Sequence, residues 1–413
     1  MKKQLVNSFA LSPATFLLFF YCALCFFNTA NAQPQLNYSP YIQNLSLPLD
    51  VTNANDGSGR LFIVEQKGVV KIFKNGSLLS KPFLDISNIV SYSDSLKGMW
   101  SIAFSPNYKT NAYFFVYFTA KNNSTVVVRY RTSKKNPDSA IANSGVILFS
   151  FPGKNFGGPK FGNLHFGKDG YLYISVSDGS NPGFTTNYAQ NGQLFYGKML
   201  RVNTDVIAAP YYSIPPDNPF INNPDVLDEI WHSGIRNAWR WSFDRLTGDI
   251  WIPDVGDEKW EEVNFRTPGQ SAASNFGFPC YEANAPFITA GCLGINNYIP
   301  PVFSYPHDSS FGGQIIIGGF VYRGLAYPAL QGYYICSDYG TLNAWKIIPN
   351  GSGGWNVSIQ NGVPARVAGY GEGEDGELYA ASLDGVVYRV QTTASIAASI
   401  SPDKLKITGK ERN

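Results

Sequence analysis

The sequence predicts an all-β fold, a six-bladed β-propeller of four-stranded antiparallel blades. Three observations predict it. A turn-plus-strand unit recurs six times along the chain. Charged residues make up only 15% of the sequence, as do aromatics, with 40 glycines and 26 prolines. No long helical periodicity interrupts the repeats.

The recurrent unit is a turn residue followed by an apolar and aromatic strand. It reads Gly59-Arg60-Leu61-Phe62-Ile63-Val64, then Asn111-Ala112-Tyr113-Phe114-Phe115-Val116, then Asp169-Gly170-Tyr171-Leu172-Tyr173-Ile174. It returns as Thr247-Gly248-Asp249-Ile250-Trp251-Ile252, Gln331-Gly332-Tyr333-Tyr334-Ile335 and Asp375-Gly376-Glu377-Leu378-Tyr379-Ala380. Most copies are followed by a second β-branched run, such as Val126-Val127-Val128-Arg129-Tyr130. Strand, turn and strand at short spacing predict antiparallel blades around a central channel, and loops at one end of the channel are where chemistry is expected. A pair of β-sandwiches is the competing architecture. It gives no reason for the same Asp-Gly punctuation in distant places.

The ends read differently. Lys2 and Lys3 precede an apolar stretch from Thr15 to Phe27, followed by Ala30-Asn31-Ala32. This is the pattern of a secretory signal peptide over residues 1–32, cleaved near Ala32, which implies a secreted or periplasmic protein. The apolar run is short for a membrane span, so no span is expected after cleavage. The propeller is assigned to 33–390. The tail at 391–413, rich in Thr, Ala and Ser and then basic, is expected to be poorly ordered.

Net charge is +2, and no basic run with interleaved aromatics occurs, which argues against a nucleic-acid partner. Cys280, Cys292 and Cys336 lie beyond the signal segment. An oxidising compartment permits a bridge. Cys280 and Cys292 flank a loop-like segment, so a local disulfide is expected there, with Cys336 a buried thiol. Closing such a loop contributes on the order of 3 kcal/mol. Cys22-Ala23-Leu24-Cys25 falls within the signal segment, and beyond it no Cys-x-x-Cys or His/Cys cluster suggests zinc. Sequons stand at Asn37, Asn44, Asn75, Asn122, Asn123, Asn350 and Asn356, and matter where the host glycosylates.

Four ordered segments carry a family resemblance. They are Gly98-Met99-Trp100-Ser101-Ile102-Ala103-Phe104-Ser105-Pro106; Gly162 through Tyr173 with Gly197-Lys198-Met199-Leu200-Arg201; Ile230 through Gly234-Ile235-Arg236-Asn237 to Asp254-Val255-Gly256-Asp257 and Asn275-Phe276-Gly277-Phe278-Pro279; and Gly318-Gly319-Phe320-Val321-Tyr322-Arg323-Gly324. In this order they resemble the glucose/sorbosone dehydrogenase family. That family includes soluble aldose dehydrogenases that use pyrroloquinoline quinone (PQQ), and hedgehog-interacting-protein-like relatives. The resemblance implies oxidation of a sugar C–OH, with a His as base, an Arg for the developing charge and a calcium ion on the quinone.

Carried over residue by residue, Arg236 takes the substrate-facing arginine position. Gly256 and Asp257 take positions whose backbone carbonyls hold calcium, and Arg366 a position that pairs with a quinone carboxylate. The resemblance fails at the base, where the histidine position is Pro159, preceded by Gly158. A family glutamine falls at Leu96, a second arginine at Ala368 and a cofactor lysine at Tyr339. His165 reads as strand packing, Glu261 and Glu262 as buried structural carboxylates. His232 and His307 are the remaining candidates for a base, against the plainer reading of each as a satisfied loop histidine.

Two functions follow. One is a secreted PQQ- and calcium-dependent aldose dehydrogenase whose turnover is weakened or lost at Pro159. The alternative is a non-catalytic propeller that binds a carbohydrate or a protein. A calcium-dependent propeller hydrolase would need a ring of site-facing carboxylates, and no clear set of those is evident.

Overall fold

Six antiparallel sheets follow one another around a channel in the computed structural model, which describes residues 33–152, 161–179, 187–270, 273–308 and 313–392. The expected signal segment, Gly158, Pro159 and residues 393–413 of the expected tail lie outside the described residues, while Gln391 and Thr392, assigned to that tail, belong to the strand Val386–Thr392.

Blade 1 runs Pro48–Thr52, Leu61–Glu65 and Val69–Lys74, with short strands Ser77–Leu78 and Leu84–Asp85 both paired to the third strand. Blade 2 is Met99–Phe104, Tyr113–Thr119, Thr125–Thr132 and Ala140–Phe151. Blade 3 is Leu164–Phe166, Leu172–Val176, Lys198–Val202 and Ile230–Ser233, and Ser274–Asn275 adds a fifth strand in parallel. Blade 4 is Ser242–Phe243, Ile250–Asp254, Trp260–Arg266 and Phe303–Pro306. Blade 5 is Ile316–Val321, Tyr334–Asp338, Asn343–Pro349 and Trp355–Asn361. Blade 6 is Val367–Glu372, Leu378–Ser382 and Val386–Thr392, completed by the N-terminal strand Leu36–Ile42. That pairing joins the two ends of the chain and closes the ring, which protects sheet edges.

All six recurrent units of the sequence fall on the second strand of a blade. All six of these strands are buried at every position. Each is covered on both faces by neighbouring blades. This is why they read as unbroken apolar runs rather than alternating ones. Aromatic pairs join the blades. Trp251 stacks on Tyr334 at 4.3 Å between blades 4 and 5, and Phe149 lies at 4.6 Å from Tyr212 between blade 2 and the chain of blade 3. Each such pair contributes roughly 0.5–1.5 kcal/mol beyond its burial.

The first strands pack around the channel closely enough to require glycine. A Cβ on Gly318 would meet Arg240 O at 1.8 Å, and one on Gly371 would meet Val51 O at 1.8 Å. Arg240 ties three blades together. Its guanidinium donates to Leu49 O at 3.0 Å, Trp100 O at 3.1 Å and Ala368 O at 3.4 Å, and it stacks 3.9 Å from the Trp239 ring. Burial lowers its pKa to about 10, so it stays charged at neutral pH.

The disulfide forms as expected between Cys280 and Cys292, and Cys336 is a buried free thiol.

Candidate functional site

A cavity of about 340 Å³ opens at the end of the channel where the first strands begin. Arg236 and Asn237 form its polar floor, after the last strand of blade 3. The loop that follows the second strand of blade 4 supplies Val255, Gly256 and Asp257. The Asp254 carboxylate, at the end of that strand, accepts the backbone N–H of Arg236 at 2.8 Å and of Asn237 at 2.5 Å. From the other side, Asp178 N–H donates to Arg236 O at 2.8 Å. The segment is therefore held by its backbone, which fixes where its side chains stand.

The Arg236 guanidinium donates from Nη2 to Asp257 Oδ1 at 2.7 Å and from Nη1 to Val255 O at 3.1 Å. Its Nε and the Oδ1 of Asn237 are buried and have no hydrogen-bond partner among the described residues. Trp239, Phe161, Val255 and Leu96 supply an apolar wall.

Buried carboxylates build the surrounding loops. Glu282, on the disulfide-closed segment, accepts the backbone N–H groups of Asp257, Glu258 and Lys259. Glu261 accepts the N–H of Gly256 at 3.2 Å and of Ile316 at 2.9 Å. Burial pushes its carboxyl up to about 7. His307 Nε2 lies 2.7 Å from Glu261 Oε1, and its Nδ1 lies 2.9 Å from Glu258 O. The hydrogen bond to Glu261 raises the imidazole pKa. Burial and the charge of Asp254 raise the Glu262 carboxyl, which is bonded to Asn264 and to Ala283 N–H.

Arg236, Gly256, Asp257, Leu96 and His307 thus meet at one cavity. Arg366 does not join them. It is half exposed and paired with Asp384 at 2.8 Å. Ala368 is buried, and its carbonyl accepts from Trp239 Nε1 at 2.9 Å. His232 is fully buried outside the cavity between Trp231 and Phe276, and His165 packs edge-on to Trp241. Burial lowers both imidazoles to about 3. His307 is at the cavity, but both ring nitrogens are taken. Sequence reasoning did not single out Asn237, Asp178 or Gln314. Asn237 stood in a quoted motif beside Arg236; Gln314 carried no signal.

The family model for glucose/sorbosone dehydrogenases matches residues 45–389. The chain belongs to the glucose/sorbosone dehydrogenase family. Among curated members it is 30% identical to the HIPL2 protein of Arabidopsis thaliana over 371 residues, covering 74% of this chain and 53% of the relative. It is 29% identical to Hedgehog-interacting protein of Mus musculus, covering 82% of this chain and 49% of that one. The chain spans about half the length of these relatives. A crystal structure of glucose dehydrogenase superposes with a TM-score of 0.69 at 20% identity, over 87% of this chain and 100% of the other. A PQQ-bound aldose sugar dehydrogenase from Streptomyces coelicolor gives 0.64 at 18%, over 87% and 98%. At such identities the likeness speaks for the fold.

The family's cofactor can be tried against this pocket. PQQ carries several carboxylates and calls for cations. Among the described lining residues the fixed cation is Arg236, already paired with Asp257, and Asp178 adds a second carboxylate. Arg366 stands elsewhere. The described residues do not fit a polyanionic quinone. Calcium takes about six to eight oxygens. No group of three or more His, Cys, Asp or Glu side chains suited to a metal occurs among the described residues. The carbonyls flanking Gly256 and Asp257 are used, Val255 O by Arg236 and Glu258 O by His307. A calcium ion on the Gly256 and Asp257 carbonyls would need its other oxygens from ligand or water.

Proposed function

We propose that this propeller binds a carbohydrate in the pocket around Arg236 and Asn237, and that dehydrogenase turnover there is low or absent. The observation that carries this reading is the pair of buried, unpartnered atoms, Arg236 Nε and Asn237 Oδ1. One is a donor and the other an acceptor, on neighbouring side chains that line the cavity, and sugar hydroxyls offer both a lone pair and a proton. Each group left bare costs roughly 1–3 kcal/mol, which a fitting ligand recovers. The Trp239 and Phe161 rings suit the apolar face of a sugar ring.

Turnover is a different demand. Removing the proton of a sugar hydroxyl needs a base within reach, worth about 10² to 10⁴ in rate. The family's histidine position is Pro159, and His307 has both ring nitrogens engaged. The reading includes export of the chain through a signal peptide at 1–32, into a compartment where a disulfide persists.

A second reading, a protein partner seated on the same mouth, is favoured by Leu96 and Ile315, apolar lining residues that are 43% and 40% exposed.

The test is calorimetric titration of the purified protein with a panel of aldoses, and dye reduction after addition of PQQ and calcium. Saturable sugar binding that Asn237→Ala weakens about tenfold, without dye reduction, is expected. Robust dye reduction with any aldose overturns the low turnover. Absence of binding by every sugar, with and without calcium, overturns the carbohydrate.

A further inference from the structure

The opposite mouth of the channel carries its own pattern. Thr52, Phe104, Phe166, Phe243 and Glu372 are the last residues of five of the first strands, and Phe320 is the last but one of the sixth. All six line one cavity of about 380 Å³. The fold thus brings one position of each blade into a ring, and the sequence fills four of those positions with phenylalanine. Phe104 turns into the core, 4.4 Å from Phe62. Phe166, Phe243 and Phe320 are only half buried. Each ring packs against the core on one side, Phe166 on Phe115, Phe243 on Tyr173 and Phe320 beside His165, and stays partly open at this mouth.

Glu372 is the one acidic member of the ring. Its Oε1 is buried and accepts no hydrogen bond among the described residues. Arg245 Nη1 stands 3.5 Å away, but that guanidinium donates to Gly373 O at 3.1 Å and Glu374 O at 3.0 Å. The other carboxylate lining the cavity, Asp244, is bonded twice by Arg323. Glu372 therefore has Arg245 as a long ion-pair partner and no closer donor to Oε1 among the described residues, and it lines the same cavity as the three partly open phenyl rings. Arg245 and Lys168 are exposed at the rim, and Lys168 Nζ donates to Leu246 O at 2.6 Å.

We propose that this mouth binds a betaine-type zwitterion, a trimethylammonium group with a carboxylate a few atoms away. Phe166, Phe243 and Phe320 wall the ammonium, Glu372 is its counter-charge, and Lys168 and Arg245 meet the carboxylate. A quaternary ammonium donates no N–H bond and leaves water at low cost, while the negative faces of aromatic rings attract it. Glu372 offers charge without demanding an N–H, and the rim cations turn from repulsive to attractive once the ligand carries its own anion. The inference is independent of the carbohydrate pocket.

The test uses calorimetry with glycine betaine and with 3,3-dimethylbutanoate, which has the same shape and carboxylate but carbon in place of the charged nitrogen. Saturable betaine binding is expected, with the isostere at least about tenfold weaker. Phe320→Ala and Glu372→Gln each weaken betaine about tenfold at an unchanged melting temperature, and Lys168→Met, on the exposed rim, weakens it as well. Arg236→Leu, at the other mouth, leaves betaine affinity as it was. No saturable heat with betaine, equal binding of the isostere, full affinity in both Glu372→Gln and Lys168→Met, or loss of binding in Arg236→Leu overturns the proposal.

Discussion

Gln360 holds both backbone hydrogen-bonding groups of Leu36. Its Oε1 accepts from Leu36 N–H and its Nε2 donates to Leu36 O, each at 2.7 Å. The clasp joins the outer strand of blade 5 to the N-terminal strand that completes blade 6, where the chain's two ends meet. Two such bonds contribute about 1 kcal/mol each. Gln360→Ala is expected to lower unfolding free energy by about 1–3 kcal/mol. Gln360→Glu, which sets a carboxylate against Leu36 O, is expected to cost more. Urea denaturation measures both, and an unchanged midpoint would show that the clasp contributes nothing to ring closure.

Arg240 is a harsher test of the channel. Its guanidinium satisfies carbonyls from blades 1, 2 and 6, and its charge opposes the effect of burial on Asp50. Arg240→Met leaves three carbonyls and a buried carboxyl without that partner. A loss of about 3–5 kcal/mol is expected, with the folded fraction at 37 °C read by circular dichroism. A loss below 1 kcal/mol would mean that water replaces the guanidinium.

The blades were legible because burial on both faces writes an unbroken apolar strand at a fixed place in each repeat. The second strands Leu172–Val176 and Leu378–Ser382 follow the same Asp-Gly turn for that reason. The fifth, parallel strand of blade 3 was not legible, since Ser274–Asn275 is two residues of no strand character. At the site, Arg236, Gly256 and Asp257 could be placed from motif likeness, and they meet in space. Arg366 was placed by the same likeness, and it stands half exposed, paired with Asp384 away from that cavity; the correspondences of Ala368 and Tyr339, in loops that vary, were the loose ones. The hold of Glu282 on the Asp257 turn was beyond sequence reading. Nothing in local pattern says that a carboxylate 25 residues away caps that loop.

His232 gives a pH signature. Burial holds its imidazole to about 3, and among the described residues neither nitrogen has a partner in good hydrogen-bond geometry. The unfolded chain takes up this proton near pH 6.5. The depressed folded pKa means a contribution to stability that is present above about 6.5 and lost as pH falls toward 3. His232→Leu removes that loss. The variant should therefore gain on the parent by about 1.4 kcal/mol for each pH unit between 6 and 4. Parallel urea curves at several pH values check it. A difference that does not vary with pH would mean that the buried ring takes up its proton in the fold.

The disulfide and the pocket are linked through Glu282. Cys280–Cys292 closes the segment that carries Glu282. Glu282 caps the N–H groups of Asp257 to Lys259, and Asp257 holds the Arg236 guanidinium at 2.7 Å. Replacing both cysteines with serine frees the loop in the unfolded chain and is expected to cost about 2–4 kcal/mol. Glu282→Gln leaves the disulfide but withdraws a carboxylate from three amides. It should cost less in global stability and more at the pocket, because the Asp257 turn loses its anchor while the blades keep theirs. Amide hydrogen exchange separates the two. Faster exchange over 256–260 in Glu282→Gln, with blade 2 unaffected, is the expected result. Exchange rising equally in all blades would assign Glu282 to general stability and detach Arg236 from the disulfide.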